Sequence, residues 1–184
     1  MSFDAFMWSK AHGTEGVDVG GIPGETQDDT YKKFNAFEIV SFELGAENTI
    51  NIGSASSGGG AGKATFKEFT VTKKTDAASV GLFHGLVTGK HYQDMVIELR
   101  RSGESTSLTG GVFLRFDFAL VMVQDISWSG SDGDDVPEET VIFQFGAIKM
   151  TYKPQSIKGK MTKDMMSQWS RVLNKAILSV GDRA

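Results

Sequence analysis

The sequence predicts a mainly β fold: a small β-barrel of two sheets with one packed α-helix, plus a C-terminal amphipathic helix extension. Three observations carry this. Apolar and polar residues alternate with period two through most of residues 1–155. A single 3.6-period segment with capping residues at both ends interrupts them. Beyond residue 155 the pattern turns helical again. The expected division is a barrel domain at 1–155 and a linker with its helix at 156–184.

The first strand is "FDAFMW" (3–8). The second is "FEIVSFEL" (37–44), with Val40, Phe42 and Leu44 on one face and Ile39, Ser41 and Glu43 on the other. "ATFKEFTVTKK" (64–74) is a third, rich in Thr, Phe and Val. A helix follows, capped by Asp76 or Ser79 and ended by Gly89. Its expected buried face is Val80, Phe83 and Val87, widened by Leu82 and Leu86. "YQDMVIELRR" (92–101), "VFLRFDFALVMVQDISW" (112–128) and "ETVIFQFGAIKMTY" (139–152) complete the strands. In the longest of them Arg115 and Asp117 share a face, so one side of that strand stays polar. Turn residues separate these runs, notably Gly110-Gly111 and "SGSDGDDVPEE" (129–139).

After a polar linker, "TKDMMSQWSRVLNKAILSVGD" reads as an amphipathic helix, with Thr162 as N-cap and Gly181 just past its end. Met165, Met166, Trp169, Val172, Leu173, Ala176, Ile177 and Val180 fall within an arc of about 140°, leaving only Leu178 on the polar side. Burying that stripe requires docking, and Met165, Trp169, Val172, Leu173 and Ile177 are the expected contacts. The chain's own barrel, a neighbouring subunit, a dedicated partner and a membrane surface are the alternatives.

The 184 residues carry a net charge of −4, which gives no general attraction to nucleic acid. Residues 155–184 hold six Lys/Arg and two Asp, a net of +4, so the other 154 residues hold −8. There is no cysteine, which removes disulfides and thiolate-held metals. The start shows no basic region before an apolar one, so no secretory signal peptide is expected. No apolar run approaches the ~18 residues needed to insert across a membrane.

"GSASSGGGAGKATF" (53–66) resembles a phosphate-binding loop that ends in Gly62-Lys63. A Walker A loop needs G-x-x-x-x-G-K-[ST] opening a helix. Here Ser57 stands at the first glycine position, Ala64 stands at the hydroxyl position, and the following residues alternate like a strand. "GLVTGK" (85–90) is one residue too short. No nucleotide or other cofactor is expected. Residues 53–62, five Gly, three Ser and two Ala, read as a loop with no apolar anchor. His12, His84 and His91 lack metal-like spacing, and "SDGDD" fails as a calcium loop at Val136. No nucleophile is paired with a base, so neither catalysis nor a metal is expected.

Several blocks together resemble the haemolysin-coregulated proteins (Hcp), tube subunits of bacterial type VI secretion systems. They are "GIPGETQDD" (21–29), the Gly-rich block 53–79, "LFHGLVTGKH" (82–91), "IELRRSG" (97–103) and "GSDGDDVPEETVIFQFGAIKMTYKPQ" (130–155). The resemblance implies a two-sheet barrel with a helix alongside. It implies a homo-hexameric ring that stacks into a tube inside a contractile sheath, behind a spike. It also implies ejection from the cytoplasm to the exterior or into a target cell, with small effectors carried in the lumen. On that picture Ser41 and Glu43 face the lumen. Gly53, Ser54, Ser57, Gly58, Gly59, Gly60, Gly62 and Lys63 form a ring-stacking loop. Residues 9–20 look like an insertion, and the C-terminal helix is longer than the tails of the family. A different reading is therefore kept open: a ring-shaped adaptor that polymerises poorly and binds a partner through its C-terminal helix.

Overall fold

The computed structural model describes residues 3–9, 22–50, 61–101, 111–154 and 163–181. β1 (Phe3–Trp8) pairs with β7 (Tyr92–Arg101), β7 with β8 (Val112–Ser129), and β8 with β9 (Glu138–Tyr152), all antiparallel. The far edge of β9 is divided. β6 (Phe69–Lys74) pairs with Glu138–Phe143, and β10 (Met165–Ser170) with Ala147–Tyr152. β2 (Phe37–Glu38) lies on β1 and β3 (Ser41–Glu43) on β6. These two short strands are consecutive in the chain, so segment 37–43 links the two ends of the curled sheet. The N–H of Ile39 donates to the carbonyl of Ala5 at 3.0 Å, and that of Val40 to the carbonyl of Thr72 at 2.7 Å.

The linkage breaks the alternation expected over 37–44. The chain changes partner at Val40, so Ile39 is buried and Val40 is 56% exposed. Beyond it Ser41 and Glu43 are exposed while Phe42 packs on the core. The single strand expected at 64–74 is likewise two. β4 (Ala46–Ile50) and β5 (Ala61–Phe66) form a separate hairpin, and β6 begins after Lys67-Glu68.

Inside the curl, Phe69 stacks on Phe118 at 4.7 Å and on Phe143 at 5.7 Å, joining β6, β8 and β9. Leu120 takes a left-handed conformation (φ 54) and rephases β8. Phe116 and Phe118 face the core before it, Val121 and Val123 after it. On the opposite side of β1 and β7, a second cluster of Phe6, Trp8, Tyr31, Ala36 and Val96 is covered by the segment ending in a 3-10 turn at Lys32–Phe34. Gly24 docks there: its N–H donates to the carbonyl of Asn35 at 2.9 Å, and a Cβ would collide with the backbone of Ala36. That contact is the reason for a glycine in "GIPGE".

α1 (Ala77–Thr88) starts and stops where its capping residues indicate. Asp76 accepts from the N–H of Ala78, Ser79 returns a bond to the N–H of Asp76, and Gly89 ends the helix at φ 64. The buried face differs from the expectation. Ala78, Ser79, Gly81, Leu82 and Gly85 are buried, whereas Val80, Phe83 and Val87 are 72%, 46% and 61% exposed. Small residues let the helix lie close to the strands. A Cβ on Gly85 would strike the hydroxyl of Tyr92, which donates to the carbonyl of Gly81.

The C-terminal helix is not formed. Residues 165–170 are β10, and the chain then turns through Asn174 (φ 51) so that the N–H of Ser170 donates to the carbonyl of Lys175 at 2.8 Å. β6 covers only half of the β9 edge, and unpaired backbone groups beside a core are costly. β10 pairs in register with six residues of that edge and supplies partners for the backbone groups that face it, which outweighs a helical periodicity with little intrinsic stability. The tail is thus part of the main sheet rather than an appendage beyond it.

Candidate interaction surfaces

Four surfaces carry the residues singled out by sequence. On β3, Ser41 and Glu43 point outward while Phe42 anchors the strand against Phe116 at 5.9 Å. Beyond the β4–β5 hairpin, Gly53, Ser54, Ser57, Gly58, Gly59 and Gly60 lie outside the described residues. Gly62 and Lys63 are on β5, and Lys63 is exposed. The residues after Lys63 continue as a strand paired to Asn48 and Glu47, not as a helix whose N-terminus could face a phosphate.

The C-terminal segment borders two apolar grooves that meet at Trp169. One, of about 350 Å³, runs between β3 and β10 and includes Phe42, Leu44, Phe116, Ile148 and Met150. The other, of about 570 Å³, runs from Lys63 to Phe145 and Val172. Of the expected contacts, Trp169 is half-buried, while Met165, Val172, Leu173 and Ile177 are 65%, 48%, 38% and 43% exposed. Arg171 was not anticipated, yet it holds the segment in place. Its guanidinium donates to the carbonyl of Phe145 at 2.9 Å and to Gln144 at 3.1 Å, and it lies over the rings of Phe145 and Phe66. Its backbone N–H donates to the carbonyl of Gly146, and Val180 packs on that glycine.

The outer face of α1 forms the fourth surface. Val80, Phe83 and Val87 recur at i, i+3 and i+7, and Phe83 meets Trp128 edge-on at 5.9 Å. Trp128 is itself 47% exposed. The acidic turn with Asp132, Asp134 and Asp135 lies beside the start of the helix, because the N–H of Thr75 donates to the carbonyl of Pro137. The usable signal in the sequence was the row of Ala, Ser and Gly on the other side of this helix, which marks the side that packs.

Two charged networks lie apart from these surfaces, on β7, β8 and the segment 28–31. Arg115 binds both oxygens of Asp117 (2.9 and 2.7 Å) and reaches Glu98 at 2.6 Å, giving the polar side of β8. The hydrogen bonds that Arg115 donates to Asp117 raise its guanidinium above the ordinary range, against the effect of burial. Glu98 also accepts from the hydroxyl of Tyr31 at 2.9 Å. Burial, then the charge of Glu98, raise that phenol well above its normal value. Burial also acts to raise Asp28, but the Arg100 hydrogen bond and charge, with the N–H groups of Thr30 and Tyr31, hold it below the usual carboxylate range. Among the described residues no group of three or more His, Asp or Glu is placed to hold a metal.

A family model described as type VI secretion system effector, Hcp, matches residues 16–152. The chain belongs to the Hcp family. A solved type six secretion system protein is 28% identical to this Hcp chain, with a TM-score of 0.77 over 95% of this chain and 99% of the other. Hcp1 from Salmonella typhimurium is 26% identical, with a TM-score of 0.68 over 96% and 100%. Protein hcp1 of Pseudomonas aeruginosa is 27% identical over 97 residues, 53% of this chain and 58% of that protein. The match thus spans less than two thirds of this curated relative. The curled antiparallel sheet with one helix is the fold shared with these solved type VI secretion and Hcp structures. Among the described residues no helix is long and apolar enough to cross a membrane.

Proposed function

We propose that this Hcp chain is a structural, non-catalytic subunit of the secretion tube. Copies close into hexameric rings, and rings stack within a contractile sheath behind a spike. The tube forms in the cytoplasm and is then ejected, carrying small effectors in its lumen. The observation that carries the reading is the family match over residues 16–152, joined to a likeness to a solved secretion-system protein over 95% of the chain. Exposed polar residues on a strand anchored by its alternate side chain suit a water-filled lumen, and Ser41 and Glu43 have that arrangement. The Gly/Ser composition of the sequence between β4 and β5 suits an adaptable contact between rings.

Negative-stain electron microscopy with mass measurement in solution tests this. Rings of six-fold symmetry and a mass of six subunits are expected. A monodisperse monomer across micromolar concentrations would overturn it.

A further inference from the structure

Two exposed apolar surfaces among the described residues differ in charge. The outer face of α1 presents Val80, Phe83 and Val87 beside Trp128, next to a turn bearing Asp132, Asp134 and Asp135. The C-terminal segment presents Met165, Met166, Val172 and Leu173, flanked by exposed Lys163 and Lys175. Lys74 lies near Asp134 and offsets the first charge in part. Asp164 offsets the second in part. The first surface is apolar and acidic, and the second is apolar and basic.

We propose that the outer face of α1 on one subunit docks on the C-terminal segment of the next, a second copy of this chain. The proposal rests on the ring reading and names the surfaces that build the ring. Three arguments select this occupant. The charges are complementary, which orients an encounter and disfavours like-on-like pairing. The surfaces share no residue, so each subunit can use both at once. A contact between two different surfaces is heterologous and propagates head to tail, the kind of contact from which a cyclic ring is built. Each half is also held rigidly. Leu82, Ala78 and the capped N-terminus fix α1, and Arg171 with the β9 ladder fixes the segment, so little ordering entropy opposes docking.

The chain lacks cysteine, which makes the test direct. In the double variant Val87→Cys/Val172→Cys, mild oxidation should give a ladder of covalent oligomers extending to the full ring. Each single variant should stay monomeric on a denaturing gel. A covalent dimer from either single variant would show a self-complementary contact and overturn the proposal. So would intact rings that give no ladder, although the ring reading would then stand. A stable monomer in every condition would overturn both. The unaltered protein supplies an independent measurement in case the variants fold poorly. Zero-length carboxylate–amine cross-linking should join Asp134 or Asp135 to Lys163 or Lys175 between subunits. Rings whose inter-subunit links all fall elsewhere would reject these surfaces, including the outcome in which one of them is taken by an effector.

Discussion

Lys73 is a cation without access to water, and its surroundings show what that requires. Its ammonium donates to Glu139 at 3.0 Å, Asp76 at 2.7 Å, Ser79 at 3.0 Å and the carbonyl of Lys74 at 2.6 Å. Glu139, equally buried, also accepts from Ser79, Thr75 and the indole of Trp128. The cluster ties the start of α1 to β6, β8 and β9. Lys73→Met should leave Glu139 without its counter-ion and cost about 3–5 kcal/mol, on the order of ten degrees in Tm. Lys73→Met with Glu139→Gln should recover part of that loss, and calorimetry on both variants checks it. Asp28 predicts an acid response. Its folded carboxyl is held below the ordinary 3.8, so its contribution is present above about pH 4 and is lost as the pH falls through the lowered value. Urea midpoints for the native chain should drop over that range more steeply than for Asp28→Asn, which has no carboxyl to protonate. Equal slopes would show that the Arg100 pair contributes nothing.

At the scale of elements, the tail is where local pattern and final structure part. Removing 163–181 should unprotect the β9 edge at 147–152, and hydrogen exchange there should rise while 138–143, still paired to β6, stays slow. Unchanged exchange at 147–152 would mean that β10 contributes no protection. The apolar spacing of this segment fits a helix on its own, and nothing within it announces that half of a distant strand edge lacks a partner. α1 shows the converse. Its ends were legible because Asp76, Ser79 and Gly89 act through bonds to adjacent backbone. Its buried face was not, because proximity to β8 selects small residues, while the large apolar ones face outward. The split of 37–44 was hidden for a related reason: alternation reports a face but not a change of partner, and Val40 lies where the chain passes from β1 to β6. β1, β7, β8 and β9 were legible because both their alternation and the turns between them are local. Of the candidate surfaces, the polar positions on β3 could be read, whereas the role of Arg171 depends on a carbonyl 26 residues away.

At the scale of the whole molecule, the predictions separate folding from assembly. Glu43 is exposed, so Glu43→Arg should leave melting and ring formation unchanged while reducing retention of small effectors, read by co-purification. A collapse of the fold would place that side chain in a packed environment instead. Deleting three glycines from the 53–62 run should hinder ring-on-ring stacking by light scattering and shift Tm by no more than a degree or two. A shift of several degrees would mean that the segment packs into the subunit.

The division of one strand edge between β6 and β10 also has a mechanical meaning. If the chain is ejected as proposed, a load hung on its tail pulls first on the contacts of Val180 and Arg171 and then on the short ladder between β10 and β9. Tension along the strands would strain all six rungs together, whereas tension across them would open one after another. The direction in which a passenger tugs, rather than its weight, would then decide whether the tail holds. Since β6 grips the other half of the same strand, a tail torn away need not take the barrel with it.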